Sequence, residues 1–251
     1  MLIDVHCHTN LYLELDKVLE EAKKVNIEKI ISVGMSNLGL ERTIEIAHKY
    51  KMIYPALGIH PEETLMNKNI ENQLDNILEF IFQNSNKICA IGEIGLDHHF
   101  IKDKNIYPLQ EKIFLDMLDL AQKLNLPVNL HTKGAEQEIF EILPSFTIPN
   151  VNIHWYSGPD KYLKFGIERG YYFSITPAIS YSPVIKKVVE LVDLNHLLLE
   201  SDGPVNYSGK VGSPSMIRNV LAAISSIKNI SKKELEEKIY QNTKIIFPKL
   251  F

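Results

Sequence analysis

Short, continuously apolar runs alternate with longer segments of mixed polarity along this chain of 251 residues. The runs are rich in β-branched residues and lack the apolar–polar alternation of a half-exposed strand. They are therefore typical of a parallel sheet that is buried on both faces. The pattern predicts strands at Leu2–His6, Lys29–Gly34, Met52–Gly58, Ile88–Leu96, Pro127–His131, Val151–Trp155, Tyr171–Ile175 and Leu197–Ser201.

Between these runs, apolar side chains recur every three or four residues, which predicts helices that pack through one face. Helices are expected at Leu15–Val25, Leu40–Tyr50, Ile70–Phe82, Leu109–Leu124, Glu136–Leu143, Lys161–Arg169, Val184–Val192 and Ser213–Ile227. A last helix is expected to begin at Ser231. There Ser-Lys-Lys-Glu forms a capping-box pattern, in which the serine accepts a free backbone N–H and Glu234 reaches back.

The regular order of strand and helix, with short connections, predicts an α/β fold with a parallel sheet. We expect a single (β/α)8 TIM-like barrel that forms one domain over residues 1–251, because such barrels contain about 250 residues. An open, doubly wound sheet is the competing fold. The number of predicted strands and the distribution of polar residues at their ends favour the closed barrel.

Composition narrows the classes of function. Lys and Arg number 27 and Asp and Glu 31, so the net charge of −4 supplies no overall basic field for nucleic acid, although a local basic rim or bound metal ions can do so. Cys7 and Cys89 both lie in apolar runs, and a reduced, cytoplasmic protein without a disulfide framework is expected. No apolar stretch approaches the roughly 20 residues that span a membrane, and no glycine-rich phosphate-binding motif indicates a nucleotide cofactor.

Metal-binding residue types recur at the carboxyl ends of the predicted strands, where a (β/α)8 barrel builds its active site. The first strand ends Asp4-Val5-His6-Cys7-His8. Because side chains alternate along a strand, Asp4, His6 and His8 share one face and Cys7 points to the other. Two imidazoles in this spacing can reach one metal ion, but surface pairs of this kind are common, so the pair alone is a weak signal.

Two further strand ends carry carboxylates. Glu93 lies in an otherwise apolar run, where burying its charge is costly unless a partner compensates it. A buried salt bridge is the alternative to a carboxylate shared by two metal ions. Gly92 and Gly95 leave room for a close approach to this backbone. After the eighth strand, Glu200 and Asp202 alternate onto one face, and Asp202 can bind metal or hold a catalytic water.

Histidines close the fifth and sixth predicted strands at the same structural position. For either His131 or His154 alone, a satisfied core or loop histidine is the simpler interpretation. Together with the residues above, they form a set that suits one or two divalent ions such as zinc or manganese, with Glu93 as a bridge. The expected ligands are His6, His8, Glu93, His131, His154 and Asp202. Two ions about 3.5–4 Å apart can deprotonate a water and stabilise the entering and leaving oxygens.

Six segments of the chain resemble the TatD-like metal-dependent hydrolases of the amidohydrolase superfamily, in the order in which that family has them. They are Asp-Val-His-Cys-His at 4–8, Gly-Ile-His-Pro at 58–61, Ile-Gly-Glu-Ile-Gly-Leu-Asp at 91–97, Leu-Pro-Val-Asn-Leu-His at 126–131, His-Trp-Tyr-Ser-Gly at 154–158 and Leu-Glu-Ser-Asp-Gly-Pro at 199–204. The resemblance covers nearly the whole chain and implies a TIM-like barrel. It is specific for the family and not for a substrate, because family members are described as magnesium-dependent deoxyribonucleases and some relatives act on other esters, including D-aminoacyl-tRNA.

The resemblance also implies roles for single residues. It assigns ligands to two divalent ions (zinc, manganese or magnesium), one held by His6, His8, Glu93 and Asp202 and the other by Glu93, His131 and His154. It implies that His60 lines the site and contacts a phosphate or the scissile group. Glu200 is implied to orient one of the metal ligands.

Two segments depart from the family's pattern. The family usually has an arginine shortly after the histidine of the fifth strand, where this chain has Thr132 and Lys133. A lysine ammonium is a point charge and cannot form the bidentate hydrogen bonds that an arginine forms with a phosphate. We expect Lys133 to contact the substrate in place of that arginine. Family nucleases usually have a basic stretch after the eighth strand, where this chain has Gly209-Lys210-Val211-Gly212-Ser213-Pro214. Both departures weaken the nuclease interpretation more than the hydrolase interpretation.

Four residues with ring side chains lie near the expected site, and the sequence does not fix their roles. His98 and His99 are expected to form an exposed pair over the site, with contact to the substrate or to a third metal as the alternative. Of Trp155 and Tyr156, one is expected to pack against the barrel and the other to be free to stack on a base or ring. The sequence does not say which.

These observations predict a metal-dependent hydrolase of ester bonds, with a phosphodiesterase of the deoxyribonuclease type as the leading hypothesis. In that hypothesis Asp202 takes a proton from the attacking water, Glu93 holds the ions together, and His60 and Lys133 steady the phosphate. The first alternative is a carboxylic-ester or amide hydrolase with the same ligands, such as a D-aminoacyl-tRNA deacylase or a lactonase, and the sparse basic residues favour such a small substrate. The second is a non-catalytic barrel, against which the intact set of costly polar groups argues.

Overall fold

The computed structural model describes residues 1–251, with Asn37 described by its backbone alone. Across the described residues, eight parallel strands form one sheet whose order follows the chain. They are β1 (Leu2–Cys7), β2 (Ile27–Gly34), β3 (Ile53–Leu57), β4 (Ala90–Gly95), β5 (Val128–His131), β6 (Val151–His154), β7 (Tyr172–Ile175) and β8 (Leu197–Leu199). Each predicted strand is present. Nearly all strand residues are buried, which explains why the runs are apolar on both faces.

The sheet closes on itself at the carboxyl ends of its first and last strands. β1 and β8 lie side by side. Just beyond β8, the backbone N–H of Asp202 donates to the carbonyl of His6 at 2.9 Å, and the N–H of His8 donates to the carbonyl of Gly203 at 2.8 Å. The predicted (β/α)8 TIM-like barrel is therefore confirmed and the open sheet is wrong. The same two hydrogen bonds bring the residues after β8 beside the histidines of β1.

The helices follow the predicted amphipathic segments. They are α1 (Leu15–Lys24), α2 (Asn37–Lys49), α3 (Glu63–Met66), α4 (Ile70–Gln83), α5 (Tyr107–Leu124), α6 (Glu136–Ile142), α7 (Asp160–Glu168), α8 (Pro183–Leu191), α9 (Ile217–Lys228) and α10 (Lys232–Ile246). Ser231 caps α10 as predicted, because its hydroxyl accepts the N–H of Glu234 at 3.2 Å. None of the described helices is long and apolar enough to cross a membrane.

Three features after the strands differ from the prediction. The short helix α3 was not predicted. A hairpin of β9 (Asn206–Tyr207) and β10 (Lys210–Val211) follows β8, where no element was expected. Helix α9 begins later than the predicted start at Ser213, because Pro214–Met216 first forms a 3-10 turn. All three lie in the segments that carry the chain away from the carboxyl ends of strands.

The apolar core lies between the sheet and the helices. Helix α4 shows the pattern, since it buries Ile70, Leu74, Ile77 and Ile81 at helical spacing against the sheet. Cys7 and Cys89 lie in two different core clusters, as expected of packing thiols. This core fixes the strands, and the side chains at their carboxyl ends therefore project from a rigid scaffold.

Gly92 and Gly95 allow β5 to lie unusually close to β4. A Cβ atom on Gly95 would lie 2.0 Å from the carbonyl oxygen of His131, and one on Gly92 would lie 2.7 Å from the Cβ of Asn129. The close approach predicted from the two glycines is therefore made by the neighbouring strand. It sets the distance between Glu93 on β4 and His131 on β5.

Candidate metal centre and active-site cleft

The residues predicted as metal ligands converge at the carboxyl end of the barrel. Four lie on strands and two follow one: His6 on β1, Glu93 on β4, His131 on β5, His154 on β6, His8 directly after β1 and Asp202 three residues after β8. All are buried, the most exposed being His131 at 7%. Whether they bind metal stays a prediction, but the barrel brings the whole predicted set together.

The histidines of β1 face each other and two carboxylates. Nε2 of His6 lies 3.3 Å from Nε2 of His8 and 3.3 Å from Oε2 of Glu93. Oδ1 of Asp202 lies 3.3 Å from Nε2 of His8 and 3.6 Å from Nε2 of His6. Nitrogen and carboxylate oxygen in this mixture are the donors that divalent transition ions prefer.

Hydrogen bonds behind the two rings determine which nitrogen faces the site. Nδ1 of His6 lies 3.2 Å from Oδ1 of Asn129, and Nδ1 of His8 lies 3.2 Å from the carbonyl oxygen of Val33. The amide of Asn129 is oriented because its Nδ2 donates to the carbonyl of Val5. Since these oxygens only accept, each Nδ1 carries a proton and each Nε2 presents a lone pair in the neutral ring. Two such lone pairs beside two carboxylates repel one another unless a positive charge lies among them.

Glu93 engages a different set of residues with each carboxylate oxygen. Oε2 faces the β1 histidines, whereas Oε1 lies 3.1 Å from Nδ1 of His131, 3.6 Å from Nε2 of His60 and 3.9 Å from Nε2 of His154. A carboxylate that spans two groups of nitrogen donors has the arrangement of a bridging ligand. This arrangement is compatible with the predicted bridge.

Asp97 fixes the ring of His131. Oδ2 of Asp97 lies 2.8 Å from Nε2 of His131, and Oδ1 accepts the backbone N–H groups of His99 at 2.8 Å and Phe100 at 2.6 Å. The proton of His131 therefore lies on Nε2, and Nδ1 presents its lone pair toward Glu93. Asp97 ends the 91–97 motif, but no role was predicted for it. Its place just past β4 was the signal that could have found it.

His60 presents a proton to the site, whereas His131 presents a lone pair. Its Nδ1 accepts the backbone N–H of Glu62 at 3.2 Å, so the proton lies on Nε2, which is 3.2 Å from Nδ1 of His131. Burial lowers the pKa of His60 to about 3, against the opposing pull of Glu93, and the ring stays neutral. His60 therefore presents an N–H donor to the site. That suits contact with a substrate oxygen, its predicted role, better than metal ligation.

Glu200 lies directly behind His154. Its Oε2 is 2.9 Å from Nδ1 of His154, although not along the direction of a hydrogen bond, and its Oε1 accepts the backbone N–H of Trp155 at 3.0 Å. The ring of His154 stacks on that of His6 with 3.7 Å between centroids. His154 consequently groups with His6 and Asp202, whereas the resemblance placed it with His131. The position of Glu200 is that of a residue orienting His154.

The electrostatics show that this cluster favours a positive charge. Burial alone would raise the pKa of Glu93, but the charge of His6 holds it well below its ordinary value. Burial would likewise lower the pKa of His6, but the charge of Glu93 raises it to about 10. The carboxylates thus hold a proton on His6 at the place where a cation can replace it.

A buried polar layer supports the ligands from below. Oδ1 of Asp4 accepts the backbone N–H of Ser201 at 2.9 Å, and burial raises the pKa of Asp4 to about 7. Nδ2 of Asn152 donates to Asn129 at 3.1 Å and to Ser174 at 2.9 Å. No role was predicted for these residues. Asp4, Asn129 and Asn152 each stand two positions before a histidine ligand and therefore point the same way, which was the available signal.

The cluster lies at the bottom of a cleft of about 600 Å³. Ligands form its floor, and the walls are largely apolar, with Leu11, Leu65, Phe100 and Val205 among the lining residues. Trp155 also lines the cleft, whereas Tyr156 is buried in the core. The structure thus decides between the two rings in favour of Trp155.

Lys133 lies in the wall of the cleft beside Trp155. Its Nζ donates to the carbonyl of Trp155 at 3.1 Å and to Oγ of Ser157 at 2.7 Å, and it lies 4.9 Å from the centroid of the tryptophan ring. Burial lowers its pKa. An ammonium group has three N–H donors, so a third is available to the cleft.

The two histidines after Asp97 do not form the expected exposed pair. His98 stacks on Tyr107 with 3.7 Å between ring centroids and lies 3.7 Å from Glu138, so for this residue the expectation was wrong. His99 is exposed, as expected. The stacking assigns His98 to the packing of the β4–α5 connection.

Residues 3–248 match the family model of the TatD related DNases. The chain belongs to the TatD family. It is 35% identical to an uncharacterized metal-dependent hydrolase of Methanocaldococcus jannaschii over 96% of this chain and 94% of that protein. It is 31% identical to the deoxyribonuclease TATDN3 of Homo sapiens over 99% of this chain and 95% of that protein. Among solved structures, YjjV, a TatD homologue of Escherichia coli, superposes with a TM-score of 0.89 at 25% identity over 98% of each chain.

These comparisons confirm the predicted family and the prediction of a metal-dependent hydrolase. The site of this TatD-family protein fits that metal dependence on its own geometry. Nε2 of His6 and Nε2 of His8 converge, the two oxygens of Glu93 face different nitrogen atoms, and the proton that the carboxylates hold on Nε2 of His6 marks a place for a positive charge. A divalent cation satisfies all three demands at once.

Proposed function

We propose that this TatD-family hydrolase cleaves phosphodiester bonds in DNA, with residues 1–251 acting as one hydrolase domain. The observation that carries the proposal is the placing of two N–H donors, His60 and Lys133, around the same cleft as the buried carboxylate–imidazole cluster. A phosphate carries negatively charged oxygens that such donors and a cation can neutralise together. The relative named as a human deoxyribonuclease supports the same substrate class.

Two divalent ions, of zinc, manganese or magnesium, are proposed to occupy the cluster. One would be held by His6, His8, Glu93 and Asp202 and the other by Glu93, His131 and His154. When bound, such ions lower the pKa of a water and offset the charge that builds on the phosphate oxygens. The contacts of His154 with His6 and Asp202 support a different sharing, in which His154 joins the first ion.

In the proposed reaction, Asp202 takes the proton of the attacking water on a carboxylate oxygen. A bond forms between that water oxygen and phosphorus, the bond from phosphorus to the leaving oxygen breaks, and the leaving oxygen takes a proton from solvent. Asp202 has φ of +46°, a conformation that residues other than glycine rarely adopt. The neighbouring hydrogen bonds that close the barrel maintain it, so the carboxylate is held beside the histidines of β1.

His60 and Lys133 are proposed to bind the phosphate. The N–H on Nε2 of His60 can donate to one of its oxygens, and the free N–H of Lys133 can donate to another. Because His60 is neutral, it contributes a hydrogen bond without a full charge. Lys133 supplies the positive charge in place of the arginine that the family usually has. Its ammonium is a point charge and cannot form the bidentate pair of hydrogen bonds that an arginine forms with a phosphate.

A carboxylic-ester or amide hydrolase is the second candidate, and a specific observation favours it. The walls of the cleft are apolar, and Leu65 is 52% exposed and Phe100 73% exposed at its mouth. Such walls suit the acyl group of a small ester. The same ligand cluster would serve either electrophile.

Hydrolysis assays on three substrates separate the candidates. Metal-reconstituted protein is incubated with end-labelled single-stranded DNA, with a D-aminoacyl-tRNA and with simple carboxylic esters, each beside a Glu93→Ala control. We expect shortened DNA that the control does not produce. Intact DNA together with cleaved ester would mean that the protein is an acyl hydrolase, which would overturn the proposal.

A further inference from the structure

A second groove of about 660 Å³ lies directly beside the active-site cleft. Phe100 and Lys133 line both cavities and so form the wall between them. On the far side, the groove is lined by His99, Gly134, Ser157 and Gly158. A substrate longer than the cleft can therefore continue across this wall without leaving the surface of the protein.

The ring of Phe100 is unusually placed for an apolar side chain. It is 73% exposed, yet its backbone N–H is bound at 2.6 Å by Asp97, whose other oxygen holds His131. The ring also makes an edge contact with His99, with 4.7 Å between centroids. The exposed face of Phe100 is thus held at a fixed place relative to the candidate metal centre, while no packing role accounts for its exposure.

The groove also offers polar contacts of the kind that a phosphate chain needs. The ammonium group of Lys133 donates hydrogen bonds to Oγ of Ser157 and to the carbonyl of Trp155. It therefore lies at the junction of cleft and groove. Gly134 and Gly158 are among the lining residues of the groove. Glu136 lines the groove as well, but its Oε1 accepts the backbone N–H of Gly134 at 3.3 Å. An aromatic face next to a cation is an arrangement that binds single-stranded nucleic acid.

We propose that this groove is a second nucleotide subsite, in which Phe100 stacks on the base next to the scissile phosphate and the strand passes over Lys133. This inference rests on the proposed phosphodiesterase function. The stacked base must be unpaired, because an isolated aromatic ring can stack only on a base that is not enclosed in a duplex.

Kinetics on substrates of different length test the subsite. Wild type, Phe100→Ala and Phe100→Trp are compared on a thymidine tetranucleotide and on thymidine 5′-(methyl phosphate), which has neither a second base nor any other second ring. We expect Phe100→Ala to raise KM for the tetranucleotide by about 10-fold or more with little change in kcat, because stacking on one base has roughly that effect. Phe100→Trp should restore the KM. The mononucleotide ester should be cleaved equally by all three.

A matched control separates stacking from a general loss of an exposed aromatic. Phe82 is also exposed, at 41%, but lies on α4 away from the cleft, and Phe82→Ala should change neither substrate. Equal losses on both substrates in Phe100→Ala, or an unchanged KM on the tetranucleotide, would overturn the subsite while leaving the phosphodiesterase function intact. If wild type cleaves neither substrate, the proposed function fails, and the subsite fails with it.

Discussion

At the scale of single residues, the hydrogen bonds behind the imidazole rings decide what each histidine can do. His6 and His8 give their Nδ1 protons to oxygen acceptors, and His131 gives its Nε2 proton to Asp97, so each presents a lone pair to the cluster. His60 receives a backbone N–H on Nδ1 and presents a proton instead. Four similar side chains thus divide into three metal-type donors and one hydrogen-bond donor.

The first prediction concerns the proposed base. Asp202→Asn keeps the shape of the side chain but cannot take a proton, so kcat should fall by about 100-fold or more. Metal should remain largely bound, because the other ligands are unchanged. Steady-state assays on single-stranded DNA together with measured metal content check both expectations. Unchanged turnover would remove Asp202 from its proposed role.

The second prediction concerns Asp97, which positions His131. Asp97→Asn replaces the charged acceptor behind the ring, so the affinity for metal should fall about 10- to 100-fold. Calorimetric titration with Mn²⁺ or Zn²⁺ measures the effect. Asp103→Asn is the matched control, because Asp103 lies in the same β4–α5 connection but binds only Asn105. Equal affinities in the two variants would show that Asp97 does not act through His131.

At the scale of elements, the ends of the strands place the chemistry and the connections shape access to it. Backbone hydrogen bonds of His6, His8 and Asp202 join the ends of β1 and β8. The hydrogen bonds that close the barrel therefore also bring these residues of the cluster together. The β4–α5 connection carries Asp97 to the metal ligands and Phe100 to the mouth of the cleft. The hairpin of β9 and β10 turns at Ser208 and Gly209, both at positive φ. A Ser-Gly pair is a sequence signal for such a turn, although the hairpin was not predicted.

The third prediction tests the close approach of β4 and β5. Gly95→Ala should destabilise the protein by about 3 kcal/mol or more, because the new methyl group meets the carbonyl of His131 and the φ of +149° disfavours a side chain. Gly209→Ala is the control, since it has a positive φ but open space around it, and should cost about 1–2 kcal/mol. Urea unfolding measures both. A cost for Gly95→Ala no greater than for the control would mean that the strands move apart freely.

At the scale of the whole molecule, the buried cluster couples stability to metal. The barrel gathers four imidazoles and two carboxylates in its interior, where their mutual repulsion must be offset before the fold is fully stable. Unfolding separates these residues along the chain from His6 to Asp202 and destroys the cluster. A metal ion that binds the cluster should therefore stabilise the folded state alone.

The fourth prediction follows from this coupling. Addition of Mn²⁺ or Zn²⁺ at about 100 times its dissociation constant should stabilise the fold by about 2.7 kcal/mol, which raises the Tm by roughly 5–10 °C for a chain of this size. Thermal unfolding with and without metal measures the shift. Glu93→Ala should show a much smaller one. A metal-induced shift that is equal in wild type and Glu93→Ala would mean that the ion binds elsewhere.

The sequence by itself determined the architecture and which polar residues gather at one end of the barrel. Continuous apolar runs can be buried only in a parallel sheet with helices on its outer face, and residue alternation places His6 with His8 and Glu200 with Asp202 on common faces. The same alternation carries the predicted ligands to one end of the barrel. These inferences succeed because they depend on the local periodicity of the backbone, which a sequence displays directly.

Only the tertiary structure decided how the predicted ligands group in space and which residues support them. The grouping of His154 with His6, the tautomers of the rings, the contact of Asp97 with His131 and the burial of Tyr156 rather than Trp155 join residues far apart in the chain. The same holds for the wall that Phe100 and Lys133 form between two cavities. Each depends on the relative rotation and spacing of different strands, which sequence periodicity does not encode and which packing of the whole barrel sets.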